Sequence, residues 1–125
     1  MNEFRYRAHG LAIHSEVELD LEPDDSATAD LVVTLSFASP PPAATHGIEV
    51  IRYDHGTTFS ISNGTAVTAY TDAPVDDIEA EFLTGPAIAI ALFQRGHAVL
   101  HASCVLVHGR AVAFIGPSRA GKSTL

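Results

Sequence analysis

The residues with the clearest chemistry are eight consecutive positions near the end of the 125-residue chain. They fit the phosphate-binding pattern G-x-x-x-x-G-K-[ST], the P-loop or Walker A motif. They are Gly116, Pro117, Ser118, Arg119, Ala120, Gly121, Lys122 and Ser123. The backbone N–H groups of such a loop turn inward and form a nest for anions. The motif therefore predicts a binding site for the phosphates of a nucleotide.

Three residues at the end of the motif have predicted roles in binding ATP and Mg²⁺. Lys122 reaches the outer phosphates as a point charge, and the hydroxyl of Ser123 is the predicted metal ligand. Thr124, directly after the motif, completes the predicted nucleotide-binding set. The helix that should begin near Gly121 would add its positive dipole end to the same site. The alternative interpretation is an ordinary Gly-Pro loop with a nearby lysine.

The elements before the motif must present it at the end of a strand. The apolar run from Ala111 to Ile115 predicts a short buried strand that leads into the loop. Residues 97–107 predict a preceding strand, and the turn at residues 108–110 makes the two an antiparallel hairpin. The expected register places His101 opposite about Pro117, at the mouth of the phosphate loop.

His101 is therefore a predicted catalytic residue together with Lys122. An imidazole side chain titrates near neutral pH. His101 could therefore contact phosphate or influence a proton near the reacting group. The competing interpretation is a histidine at the core edge whose ring bonds a backbone carbonyl. A zinc site with His97 is excluded, because four strand residues span roughly 13 Å, whereas ligands bind zinc at about 2 Å.

Composition limits the partners and the location of the chain. The formal net charge of −8 and the absence of a basic stripe argue against nucleic acid. The acid-rich segment from Glu16 to Asp25 is predicted to be solvated, with a metal-binding tract as the weaker alternative. No apolar signal core or membrane-length run occurs, so a cytoplasmic protein without a membrane partner is expected. The single cysteine, Cys104, excludes an internal disulfide and is predicted to be a small buried hydrophobe rather than a reactive thiol.

The pattern along the chain predicts two regions and a mixed α/β fold. Residues 1–72 read as a small β-rich region, with a three-stranded meander at residues 48–70 punctuated by the hairpin signal Asn63-Gly64. Residues 73–125 read as a linking helix from Asp76 to Arg95, broken at Gly85-Pro86, followed by the hairpin and the loop.

The chain resembles the HPr kinase/phosphorylase family, and most closely the stand-alone HPr-kinase-related serine kinases of bacteria. The similarity is specific over the segment Leu100-His101-Ala102-Ser103 and the stretch from His108 to Ser123. The segment from Gly10 to Glu16 is also similar to the opening of those proteins. Arg119 departs from the glycine usual at its position, so its side chain is expected to point outward.

The resemblance implies an ATP-dependent kinase that phosphorylates a serine of a protein or peptide, on a core related to phosphoenolpyruvate carboxykinase. In that setting Lys122 would hold the β- and γ-phosphates, Ser123 the Mg²⁺, and His101 would lie beside the transferred group. Phosphoryl transfer also needs carboxylates that orient the nucleophile and help hold Mg²⁺. The family's Asp-Asp pair lies on a strand after the loop, and no residue follows Leu125 here. The expectation is an N-terminal portion of such a kinase that grips phosphates without completing the transfer.

The sequence is also compatible with two other functions. It does not decide whether the chain forms an oligomer. The stretch from Gly116 to Leu125 also resembles the loop that opens ABC-type ATPase domains, although that loop normally lies some 40 residues from the domain start. The other alternative is a non-catalytic β-rich module in which the loop is a relic.

Overall fold

The computed structural model describes residues 3–54 and 56–117, and seven strands before residue 71 build one mixed sheet. Its strands are β1 Phe4–Ala8, β2 Leu11–Ser15, β3 Glu22–Pro23, β4 Leu31–Ser36, β5 Ile48–Arg52, β6 Thr58–Ser62 and β7 Ala66–Tyr70. The spatial order is β3-β1-β2-β4-β7-β6-β5. The pairs β2–β4 and β4–β7 are parallel, and the outer pairs are antiparallel.

Tight turns set the register of the antiparallel strands. Residues 63–65 connect β6 to β7, and Asn63 and Gly64 have φ of 51° and 68°, which confirms the predicted hairpin and the meander β5–β6–β7. His9 and Gly10 join β1 to β2 with φ of 51° and 77°. Two successive residues with positive φ match the twist of a two-residue hairpin, and glycine in the second position adopts that φ readily. The His9-Gly10 hairpin was not predicted, although it carries the same signal.

Two helices follow β7 in the described chain: α1 Asp77–Thr84 and α2 Pro86–Gln94. The Asp76 carboxylate accepts the Glu79 backbone N–H at 2.8 Å, and the Glu79 carboxylate accepts the Asp76 N–H at 3.0 Å. This reciprocal cap fixes the start of α1. Gly85 separates the helices and Pro86 occupies the first position of α2, so the predicted helix with its break is confirmed.

The helices and the sheet share one hydrophobic core. Ile13, Leu31 and Phe59 contribute from the sheet, and Phe82 and Ile88 contribute from the helices. The ring centroids of Phe59 and Phe82 lie 4.6 Å apart, so α1 rests directly on β6. The structure is thus mixed α/β and mostly sheet, as expected. The division of the chain at residue 72 stays a prediction.

Polar contacts hold the end of α2 to the turn between β6 and β7. The Gln94 side chain accepts the Gly64 N–H at 2.7 Å and donates to the Ile61 carbonyl at 2.9 Å. Arg95 donates to the Gly64 carbonyl at 2.9 Å and to the Asp30 carbonyl at 3.3 Å. We call this set of contacts the Gln94–Arg95 clamp. It bonds both backbone groups of Gly64 to the helix.

The acid-rich segment is only partly solvated. The Glu16 carboxylate accepts the Leu35 N–H at 2.7 Å. Asp24 accepts the Ser26 hydroxyl at 2.5 Å and the Arg7 guanidinium at 3.2 Å. Within residues 3–54 and 56–117 no group of histidine, cysteine and acidic side chains is placed to hold a metal ion. In the same residues no helix is long and apolar enough to span a membrane.

Replacing Gly64 with alanine tests the close approach of α2 to the turn. A Cβ at Gly64 would overlap the Arg95 side chain and lie 2.8 Å from the Ala91 carbonyl oxygen. Positive φ costs about 1–2 kcal/mol for a residue with a side chain, and overpacking adds about 1–3 kcal/mol. Gly64→Ala should therefore lower the free energy of unfolding, measured in urea, by about 2–5 kcal/mol.

Gly10→Ala is the matched control for Gly64→Ala. Gly10 has φ of 77° and no neighbouring atom within 4 Å of the added Cβ, so only the backbone term remains. An equal loss of stability in both variants would contradict the close packing of α2 on the turn.

The pH dependence of unfolding tests the contacts of Asp24. The hydrogen bond from the Ser26 hydroxyl, aided by Arg7, holds the pKa of the Asp24 carboxyl below its ordinary value of 3.8. A pKa that is lower in the folded chain adds stability above the unfolded value, and this stability disappears as the pH falls through the folded value. The stability difference between the native protein and Asp24→Asn should therefore shrink as the pH falls from about 5 to about 2. Asp25→Asn removes one negative charge at an exposed neighbouring position and controls for net charge. If the stability difference between the native protein and Asp24→Asn does not change with pH, the contacts assigned to Asp24 are wrong.

Candidate phosphate-binding site

A separate hairpin precedes the predicted phosphate loop. Its strands are β8 Ser103–Val107 and β9 Arg110–Phe114, joined by His108 and Gly109 with φ of 48° and 75°. The predicted hairpin is confirmed. Gly116, the first residue of the motif, follows two residues after the end of β9. The strand that must precede a phosphate loop is therefore in place.

The register and the start of the hairpin differ from the prediction. The ladder ends at the pair Ser103–Phe114, and two residues further along both chains lie His101 and Gly116. The prediction had placed His101 opposite about Pro117, one residue away. The predicted strand over residues 97–102 is wrong: Gly96 adopts φ of 87° and the His97 N–H donates to the Leu92 carbonyl at 3.1 Å. These contacts hold the start of the segment against the end of α2.

Both faces of the hairpin are exposed, which corrects two predictions. The strand before the loop was expected to be buried, yet Val112 is 40% exposed and Ile115 66% exposed. Cys104 was expected to be buried and is exposed as well. The reason is that β8 and β9 form their own two-stranded sheet and share no ladder with the seven-stranded sheet in the described chain.

His101 is exposed and forms part of the wall of a cavity of about 620 Å³. Three residues of α2 form one wall, namely Pro86, Ala89 and Leu92, and residues 98–101 form the other. His9, in the turn between β1 and β2, also lines it. Among the described residues, the lining is mostly apolar and contains no carboxylate. The sequence did not indicate a role for His9. The His9-Gly10 signal predicts the hairpin β1–β2, but it does not show that the tip of this hairpin reaches the cavity.

The structure describes only part of the predicted site. His101, Gly116 and Pro117 lie within the described residues; Gly116 is half-buried and Pro117 exposed. The remaining predicted residues lie outside them: Ser118, Arg119, Ala120, Gly121, Lys122, Ser123 and Thr124. The roles predicted for these residues in binding ATP and Mg²⁺ therefore stay predictions.

The acidic residues before the loop have other surroundings. Asp76 and Asp77 were the earlier carboxylates that could in principle replace the missing pair. The Asp76 carboxylate caps α1, and Asp77 is exposed in the first turn of that helix. Neither lines the cavity that contains His101.

Comparison with known proteins adds no assignment. No protein-family model, curated protein or solved structure matches this chain.

Thiol labelling tests the exposure of the hairpin. Cys104 is exposed on β8 and is the single cysteine of the chain, so a disulfide reagent such as DTNB should titrate one thiol per chain without denaturant. The reaction in buffer should match the rate in denaturant within about threefold, because an exposed thiol needs no opening of the fold. Slow labelling in buffer and fast labelling in urea would contradict the exposed hairpin.

Proposed function

We propose that this chain is the ATP-binding portion of an HPr-kinase-like enzyme that transfers the γ-phosphate of ATP to a serine of a protein or peptide. The observation that carries the proposal is the complete Walker A sequence placed directly after β9 of the hairpin. A phosphate-loop motif gains its meaning from a strand before it. β9 supplies that strand, and the helix that should follow the loop lies outside the described residues.

The second support is the position of His101. It lies two residues before β8, and Gly116 lies two residues after β9, so the same short hairpin leads from one to the other. A two-residue turn makes this hairpin short and its register definite. Positioning of this kind matters because phosphoryl transfer depends on geometry and charge stabilisation more than on covalent chemistry of the protein.

The proposed roles follow from the chemistry of each side chain. Lys122 holds the outer phosphates, and Ser123 supplies a hydroxyl oxygen, the kind of ligand that Mg²⁺ prefers. Bound Mg²⁺ would neutralise charge on the phosphates. In the complete kinase, with the carboxylates that phosphoryl transfer also needs, the serine oxygen of the substrate would form a bond to the γ-phosphorus, the bond from that phosphorus to ADP would break, and the serine proton would leave. His101 lies beside the transferred group and can hold that proton.

The folded region before the loop favours a kinase over an ABC-type ATPase. Nine strands and two helices are described before residue 115, and they include the seven-stranded sheet with its own core. The ABC-type loop would follow a much shorter antiparallel region. The relic interpretation differs from both because it predicts no nucleotide binding.

Titration with a fluorescent ATP analogue and Mg²⁺ tests the proposal. Lys122→Ala should weaken binding at least about tenfold, a loss of about 1.4 kcal/mol, because it removes the cation on the outer phosphates. Arg119→Ala is the matched control: it removes the same charge three residues earlier and should change the affinity less than about threefold. Absence of binding in the native chain, or equal losses in both variants, would refute the proposal.

A further inference from the structure

The turn after β6 contains a dipeptide that can modify itself. The chain has two asparagines, Asn2 and Asn63, and only Asn63 precedes a glycine. Because Gly64 has no side chain, its backbone nitrogen can approach the amide of the preceding asparagine without a steric clash. We propose that Asn63 is a site of spontaneous deamidation, and that the docking of α2 on the turn controls its reaction. The site is independent of the proposed nucleotide binding, since none of its residues belongs to the phosphate loop.

Deamidation at this site needs a free backbone nitrogen at Gly64. This nitrogen gives its proton to hydroxide and then forms a bond to Cγ of the Asn63 side chain. The bond from Cγ to Nδ2 breaks, and ammonia leaves with a proton taken from water, so that a cyclic succinimide remains and hydroxide is regenerated. Water then opens the ring at either carbonyl group and gives aspartate or isoaspartate. The net change is the uptake of water and the loss of ammonia.

Helix α2 holds the attacking nitrogen. The Gly64 N–H donates to the Gln94 side-chain oxygen at 2.7 Å, and Gly64 is buried. If this N–H lost its proton, the lone pairs of the nitrogen would face the Gln94 oxygen at the same short distance, which is repulsive. The Gln94 amide is itself fixed, because its Nε2 donates to the Ile61 carbonyl at 2.9 Å. Its oxygen therefore cannot turn away from Gly64 without the loss of a second hydrogen bond.

The amide that is attacked lies outside this contact. Asn63 is exposed, so water and hydroxide can reach its side chain. Its Oδ1 lies against Gly47, where any Cβ would overlap it, and its backbone N–H donates to the Gly47 carbonyl at 2.8 Å. The turn thus combines an accessible electrophile with a nucleophile that becomes available only when the end of α2 leaves the turn.

Deamidation would in turn release the Gln94–Arg95 clamp. Isoaspartate places its side-chain methylene in the main chain, so the connection between β6 and β7 becomes longer. Gly64 would then shift relative to Gln94 and Arg95, which bond its N–H and its carbonyl. A chain that reacts while the turn is open therefore cannot dock α2 in the same way again.

Peptide mass spectrometry of the aged native chain tests the proposal, because it measures the fraction of Asn63 converted to the acid. The chain is incubated in slightly alkaline buffer, with and without concentrated urea at the same pH. The folded chain should react at least about tenfold more slowly than the unfolded chain, because the reactive state is reached only through local opening. Equal rates in the two conditions would overturn the proposal.

Two variants separate the two halves of the clamp. Gln94→Ala frees the Gly64 N–H and should raise the rate of deamidation in the folded chain at least about tenfold. Arg95→Ala is the matched control: it removes the bond to the Gly64 carbonyl, leaves the N–H bonded to Gln94, and should raise the rate less than about threefold. An equal or larger increase for Arg95→Ala would overturn the role of Gln94.

Hydrogen exchange keeps the test decisive even if Gln94→Ala does not fold. Exchange of the Gly64 N–H in the native chain requires the same opening as deamidation. Low concentrations of urea should therefore raise the exchange rate of this N–H and the deamidation rate of Asn63 in the same proportion. A deamidation rate that stays constant while the exchange rate rises would overturn the proposal.

Discussion

The Gln94–Arg95 clamp is the contact that connects the sheet to the candidate site. Gly64 gives its N–H to Gln94 and its carbonyl to Arg95, so the end of α2 is bonded to the backbone of the turn between β6 and β7. Glycine is required at that turn because any Cβ would meet the helix. Residues 98–101, which line the cavity, and the hairpin β8–β9 both follow α2 along the chain. The anchored end of α2 therefore sets where they begin.

The clamp explains how the seven-stranded sheet can help to position Gly116, the first residue of the predicted phosphate loop, although the hairpin that presents Gly116 forms a separate sheet. Gly96 reverses the chain at the end of α2, and residues 98–101 then line the cavity opposite the helix before β8 begins. His101 ends this segment and precedes the hairpin that presents Gly116. The sheet therefore acts through α2: it sets where His101 lies, and the short hairpin sets where the loop begins.

Local signals predicted the elements well, because each depends on neighbouring residues. Asn63-Gly64 and His108-Gly109 fixed two hairpins by their backbone conformation, and Gly85-Pro86 fixed the break between the helices. Long-range arrangement was not predictable. The parallel pairing of β4 with β7 and the cavity between α2 and residues 98–101 depend on contacts between distant segments. The burial of Val112 and Cys104 was predicted wrongly, because an apolar sequence does not reveal whether another element covers it.

Paramagnetic NMR tests whether His101 and the predicted phosphate loop form one site. Mn²⁺ replaces Mg²⁺ on ATP, and its unpaired electrons broaden the signals of nearby nuclei. Mn²⁺–ATP should broaden the imidazole signals of His101 in the native chain, leave those of His14 in β2 sharp, and have no effect on His101 in Lys122→Ala. Bound Mn²⁺–ATP that leaves the His101 signals sharp would contradict this shared site.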